Sequence, residues 1–163
     1  MVEERDPQGS MVLNVPDVSV QAGQEFTLPF TTAGLNEILG YQFTLRYNTE
    51  LLEYVELTPG AVPNMSEGNY NLLRTQDGWI TTSWNVMDIV PQAEMTELFA
   101  VTFRAREDIE SLEELLSVTS VPTREEAYNM EGDVLDITLN FGQAITATGS
   151  VRVEGWWWWW WWW

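Results

Sequence analysis

Residues 40–48 read Gly40-Tyr41-Gln42-Phe43-Thr44-Leu45-Arg46-Tyr47-Asn48. Large apolar or aromatic side chains take every second position, and Gln, Thr and Arg take the positions between. On an extended chain this period of two puts Tyr41, Phe43, Leu45 and Tyr47 on one face and Gln42, Thr44 and Arg46 on the other. A helix would scatter both sets around its axis, so the stretch reads as a strand buried on one side. The same alternation continues outward in both directions. Upstream, Phe26, Leu28 and Phe30 alternate with Thr27 and Pro29, and Pro29 predicts an edge position or a break because it has no N–H to donate. Before it, Leu13, Val15, Val18 and Val20 lead into a turn at Gln21-Ala22-Gly23. Downstream, Leu51, Val55 and Leu57 end at Pro59-Gly60. Tyr70–Arg74 and Trp79–Trp84 flank Gln76-Asp77-Gly78, a hairpin signal. Phe99, Val101 and Phe103 form a further inward face, Val118 and Val121 hint at a short strand, and Leu135, Ile137, Leu139 and Phe141 close the series.

One segment breaks the period. Ile109, Leu112, Leu115 and Leu116 fit one side of a short helix near 108–117, with an acidic first turn that suits the positive end of a helix dipole. About nine strands and one helix, at these spacings, predict an all-β jelly-roll β-sandwich. The sandwich is placed at residues 12–141, after a polar linker or tag remnant at 1–11 and before an exit linker at 142–155. Residues 156–163 are eight consecutive tryptophans. They read as a placeholder or artefact and enter no argument about the fold. Setting them aside leaves Trp79 and Trp84, five apart and therefore on opposite faces of one strand.

Composition removes whole classes of chemistry. The chain has 163 residues, 25 acids against 7 basic residues, and a net charge of -18. All seven basic residues are arginine, and Cys, His and Lys are absent. This rules out a thiolate nucleophile, a disulfide, a Cys/His zinc site, a Ser-His-Asp triad and a lysine Schiff base. The charge argues against nucleic acid and anionic membrane as partners. No run of 18 apolar residues is present to insert into a bilayer. The acids are spread along the chain, and no carboxylate pair stands out as the catalytic couple of a glycoside hydrolase. A module that binds or builds, and is not an enzyme, is the reading that remains.

Several stretches resemble cohesin domains. Gly40-Tyr-Gln-Phe-Thr-Leu-Arg-Tyr-Asn, followed by Leu51-Leu-Glu-Tyr-Val-Glu-Leu-Thr-Pro-Gly60, resembles the third and fourth strands of that family. Val18-Ser-Val-Gln-Ala-Gly-Gln-Glu-Phe-Thr-Leu-Pro-Phe30 resembles its opening hairpin, and Leu98-Phe-Ala-Val-Thr-Phe-Arg-Ala105 its later strand. Ala127–Phe141 is similar to cohesin-like domains of surface proteins exported by type IX secretion. The resemblance implies a nine-stranded, non-catalytic, extracellular or cell-surface module that binds a protein partner. It also implies that a flat sheet face does the binding, with Gln42, Thr44 and Arg46, then Arg74, then Trp79, Thr81 and Ser83 at the matching positions.

Other uses of the same residues stay open at this level. Extended flanks at Met1–Met11 and Gly142–Gly155 could add strands to a neighbour and build a filament or surface layer. Trp79, Tyr70 and Tyr41 would suit a glycan. No cofactor is required. Calcium is conceivable at Asp108 and Glu110, with Glu107, or at Asp133 with Asn129 and Glu131, although no Asp-x-Asp-x-Asp-Gly loop occurs. Asn64-Met65-Ser66 matches the N-glycosylation pattern.

Overall fold

The computed structural model describes residues 9–87, 95–121 and 124–146. Ten strands follow one another: β1 (Ser10–Ser19), β2 (Glu25–Ala33), β3 (Ile38–Tyr47), β4 (Leu52–Pro59), β5 (Tyr70–Asn71), β6 (Trp79–Asn85), β7 (Met95–Ala105), β8 (Leu116–Thr119), β9 (Glu126–Asn129) and β10 (Val134–Thr146). They hydrogen-bond in the order β4-β7-β2-β1-β10-β9-β3-β6-β5, with β8 also on β3. This ribbon of strands curls over so that its two halves face each other. Phe43 on β3 stands 6.2 Å from Phe99 on β7, Tyr47 on β3 stands 5.0 Å from Phe103 on β7, and Tyr70 on β5 stands 5.5 Å from Phe99. These ring contacts join the halves into a β-sandwich.

The period-two faces of β2, β3 and β7 land as the sequence reading places them, but in β4 Leu52 is buried while Val55 is exposed because the β4–β7 register shifts between Tyr54 and Glu56, and Val121 lies exposed beyond the end of β8. Phe26, Leu28, Phe30, Phe43, Leu45, Phe99, Val101 and Phe103 have no exposed surface, and Tyr41 and Tyr47 are buried beside them. Each such side chain stabilises the fold by about 1.5–3 kcal/mol through burial. Pro29 lies inside the sheet between β1 and β7, not at an edge. The break appears one residue on, where the β2–β7 register shifts between Phe30 and Thr31. β2 meets β1 at a single paired position, Asn14 with Thr31, so the missing Pro29 N–H costs little. Pro16 similarly sits at the register shift between Val15 and Asp17 in β1.

Three local expectations are corrected. Residues 108–117 form no helix. Ile109 instead makes an antiparallel bridge with Val20, with N–H···O distances of 2.9 and 2.8 Å, and a turn follows at Leu112–Leu116. Ile109, Leu112 and Leu116 are still buried, so the apolar spacing reported burial and not helical backbone. The buried Asp17 carboxylate holds this segment by accepting from Leu112 N at 2.6 Å and Ser111 Oγ at 2.8 Å. Next, β5 spans two residues, and a single-turn 3-10 helix at Thr75–Asp77 leads into β6 in place of a tight hairpin. Gly78 follows at φ 83, and a Cβ there would lie 2.4 Å from the Tyr47 carbonyl oxygen. Last, β9 is a tenth strand. It is too short to show a period, and it forms because Gly132 at φ 81 turns the chain back along β10.

β10 continues to Thr146, into the stretch read as an exit linker, and β1 begins at Ser10. The two strands are parallel, with Ser10 beside Asp136 and Ser19 beside Thr146.

Candidate functional site

β3 is the central strand of one half of the sandwich. β6 lines one edge, and β9 and β8 share the other edge end to end, pairing with Ile38–Gln42 and Thr44–Tyr47 respectively. Strand alternation then arranges the outward side chains in rows. Ser117, Arg46 and Trp79 form the first, Thr119, Thr44 and Thr81 the second, and Glu126, Gln42 and Ser83 the third. All six strand residues anticipated for a binding face therefore lie on one surface, and Arg74 joins them from the turn before β6.

Their accessibility differs. Arg46 and Ser83 are exposed, Gln42, Trp79 and Thr81 are half-buried, and Thr44 is fully buried. Thr44 is thus corrected from a contact residue to part of the floor. Its neighbours on both sides cover it, and its hydroxyl lies 3.1 Å from that of Thr81. Arg74 is already engaged. Its guanidinium lies 4.6 Å from the centre of the Trp79 ring, and its Nε donates to Asp77 at 2.6 Å. Trp79 is held flat by this stack, and its indole N–H is buried with no acceptor among the described residues. Trp84 faces inward, with Nε1 donating to the Pro63 carbonyl at 2.8 Å and its ring 5.5 Å from Tyr41.

Ser117, Thr119, Glu126, Tyr128 and Asn71 share the face and were not singled out by sequence. Their strands are two to four residues long, too short for a period to register. At the β9 end Glu126 accepts from the Tyr128 hydroxyl, and this bond, with partial burial, raises the tyrosine pKa above its ordinary value. Gln42 donates to the Arg124 carbonyl at 3.1 Å, which fixes its side chain. Glu126 borders the face at the β9 end, and Asp77, Glu50 and Glu114 lie around its Arg46 end, where Arg46 and Arg74 are the basic groups.

The other proposed sites fare differently. Tyr41 and Tyr70 are 2% and 8% exposed, so of the three aromatics proposed to stack on a glycan only Trp79 reaches the surface. Burial also raises both tyrosine pKa values. The calcium candidates do not converge. Among the described residues no group of three or more acidic side chains is placed to hold a metal ion. Asp108 instead accepts from Ala22 N at 2.9 Å. The Asn129 amide donates toward Glu131 and Asp133 at 3.4 and 3.2 Å, which puts N–H groups where a cation needs oxygen. Asn64 is exposed at φ 63. Of the flanks proposed for assembly, residues 10–11 and 142–146 belong to the paired strands β1 and β10, Gly9 just before β1 accepts from Asp136 N at 2.9 Å, and residues 1–8 and 147–155 lie outside the described residues.

A family model, the cohesin domain, matches residues 11–146, nearly the whole of the described chain. The chain belongs to the cohesin family. Solved cohesins share its fold at low identity. One is from a type I cohesin–dockerin complex of Clostridium thermocellum, with 13% identity and a TM-score of 0.60, covering 90% of this chain and all of that one. Another, from a complex of Acetivibrio cellulolyticus with a dockerin, has 13% identity and a TM-score of 0.59 over 84% of this chain and 99% of its own. A non-cellulosomal cohesin from the archaeon Archaeoglobus fulgidus has 12% identity and a TM-score of 0.58 over 86% and 93%. No curated protein sequence matches the chain. The cohesin reading drawn from Gly40–Asn48 and Leu51–Gly60 is thereby borne out, and so is the all-β sandwich.

Proposed function

We propose that this cohesin domain is a non-catalytic docking module that works outside the cell and binds a dockerin-type protein through the outer face of β8, β3, β6 and β5. The observation that carries the reading is the surface itself. Three strands present Arg46, Gln42, Trp79, Thr81, Ser83, Ser117 and Thr119 together on one outer face. A flat, polar, aromatic-bearing patch inside an acidic shell suits a protein partner better than a small ligand, which needs concavity. Family membership supports the same reading, since two of the neighbours above were solved in complex with dockerins.

On the opposite sheet, outward polar groups are already taken up by contacts within the chain. There Arg104 on β7 is neutralised from both sides by Glu25 and Glu53, and Thr27 and Thr102 bond to each other at 2.6 Å. A display screen of dockerin modules against the immobilised domain tests the assignment. Binders should lose retention when Ser83→Arg raises a bulky charge on the β6 face. They should tolerate Thr58→Arg on the far sheet. Binders that respond to Thr58→Arg and ignore Ser83→Arg would place the docking surface elsewhere.

A further inference from the structure

The docking face is uneven in charge along its length, and the unevenness specifies its partner. At one end the Ser117, Arg46 and Trp79 row is closed by the Arg74 guanidinium over the indole ring. The middle row is a hydroxyl floor of Thr119, Thr44 and Thr81. The far end carries Glu126 and Gln42, which already bond to each other or to the chain. Arg46 differs from the other described arginines. Arg74 is paired with Asp77, and Arg104 with Glu25 and Glu53. The Arg106 Nε donates to the Thr49 carbonyl at 3.1 Å. Arg46 is exposed, and no ion pair or hydrogen bond engages its side chain among the described residues.

We propose that Arg46 is the charge anchor of the face: it receives a carboxylate side chain from the docked module, with Trp79 beside it as the rigid apolar platform. The inference rests on the reading of this face as the docking surface. A guanidinium binds a carboxylate through two parallel N–H···O bonds, which fixes register as well as adding attraction. Trp79 needs no ordering on contact, because Arg74 already holds its ring. Indole and guanidinium groups are the side chains most often found to dominate an interface. The anchor selects against small free anions. Glu50, Asp77 and Glu114 line the open concavity of about 450 Å³ that begins at Arg46, so a lone anion meets repulsion there. A carboxylate carried on a protein scaffold meets the same repulsion and offsets it with the other contacts its scaffold makes on the face.

A charge-swap selection tests the proposal. The probe is a yeast-displayed library built on the dockerin of the Clostridium thermocellum complex, with its cohesin-facing positions randomised. Clones selected on the unmodified domain should be enriched in Asp or Glu at one facing position. They should bind Arg46→Glu about tenfold more weakly or worse. Changing that acid to Arg should restore binding to Arg46→Glu, a recovery that a purely structural role would not give. Arg46 is exposed, so its variant should melt like the parent. Clones that lose binding on Ser83→Arg but hold Arg46→Glu undiminished would overturn the anchor and leave the face intact. Clones indifferent to both substitutions, or a library yielding no binder at all, would count against the docking face itself and the anchor with it.

Discussion

Asp17 shows how one side chain sets local structure. Its carboxylate is 7% exposed and accepts from Val18 N, Leu112 N and Ser111 Oγ at 3.0, 2.6 and 2.8 Å. These bonds tie the 109–116 segment to β1 and satisfy a backbone N–H that has no strand partner. Asp17→Ala would leave those donors buried without an acceptor, which costs about 2–3 kcal/mol. Urea denaturation should show that loss, and Asp17→Asn, which keeps one acceptor oxygen, should recover part of it. Nothing in the sequence around Val15-Pro16-Asp17-Val18 marks this residue, since its partners are 94 and 95 positions away. Trp79 and Trp84 were more legible. Their spacing alone assigns them to opposite faces, and the structure places Trp84 in the core and Trp79 on the outer surface.

Among the elements, β10 bridges the two halves of the fold. Its first residues pair with β9 and the rest pair with β1, so it is the strand through which the two halves of the sandwich join. Ala144, Ile145 and Thr146 lie opposite Asp17, Val18 and Ser19. A chain ended after Phe141 would strip the partners from that stretch of β1, next to the Asp17 network, and expose backbone groups that are now bonded. It should melt several degrees lower than the full chain, whereas a chain ended after Thr146 should melt with it. Equal melting of the two shortened chains would show that the final five residues add nothing. The strand's alternation was readable as far as Phe141. Beyond it Gly142, Gln143 and Ala144 carry no bulky apolar side chain, and pairing there is decided by the parallel neighbour β1. The 109–116 segment fails in the opposite sense. Its apolar spacing is helical, yet the backbone is taken by the bridge to Val20, because a buried hydrogen-bonding edge was available at the end of β1.

At the scale of the whole molecule, the parallel pairing of β1 and β10 sends the chain in at one end and out at the other, about 30 Å apart for strands of this length. Composition sets the response to pH. With no His, Cys or Lys, no side chain has an ordinary pKa between the carboxylate range and that of tyrosine. All five tyrosines have pKa values raised above 10, chiefly by burial for Tyr41, Tyr47, Tyr54 and Tyr70 and by the bond to Glu126 for Tyr128. The folded state therefore keeps phenols neutral that the unfolded chain would ionise. Their stabilisation is complete below pH 10 and is lost as pH rises from there toward the folded pKa values. Stability should be flat across neutral pH and collapse above about pH 10, with tyrosine ionisation, followed by ultraviolet absorbance, appearing together with unfolding; ionisation of all five in a still-folded chain would contradict the burial. The sequence by itself determined the chemistry this cohesin lacks, the inward and outward faces of its long strands, and the all-β class, because composition and a period of two are local properties. The tertiary structure decided which outward residues form one surface, why Thr44 is covered, and why Arg46 stands unpaired among acids. Those depend on strand order and register, which hydrogen bonds between distant segments set.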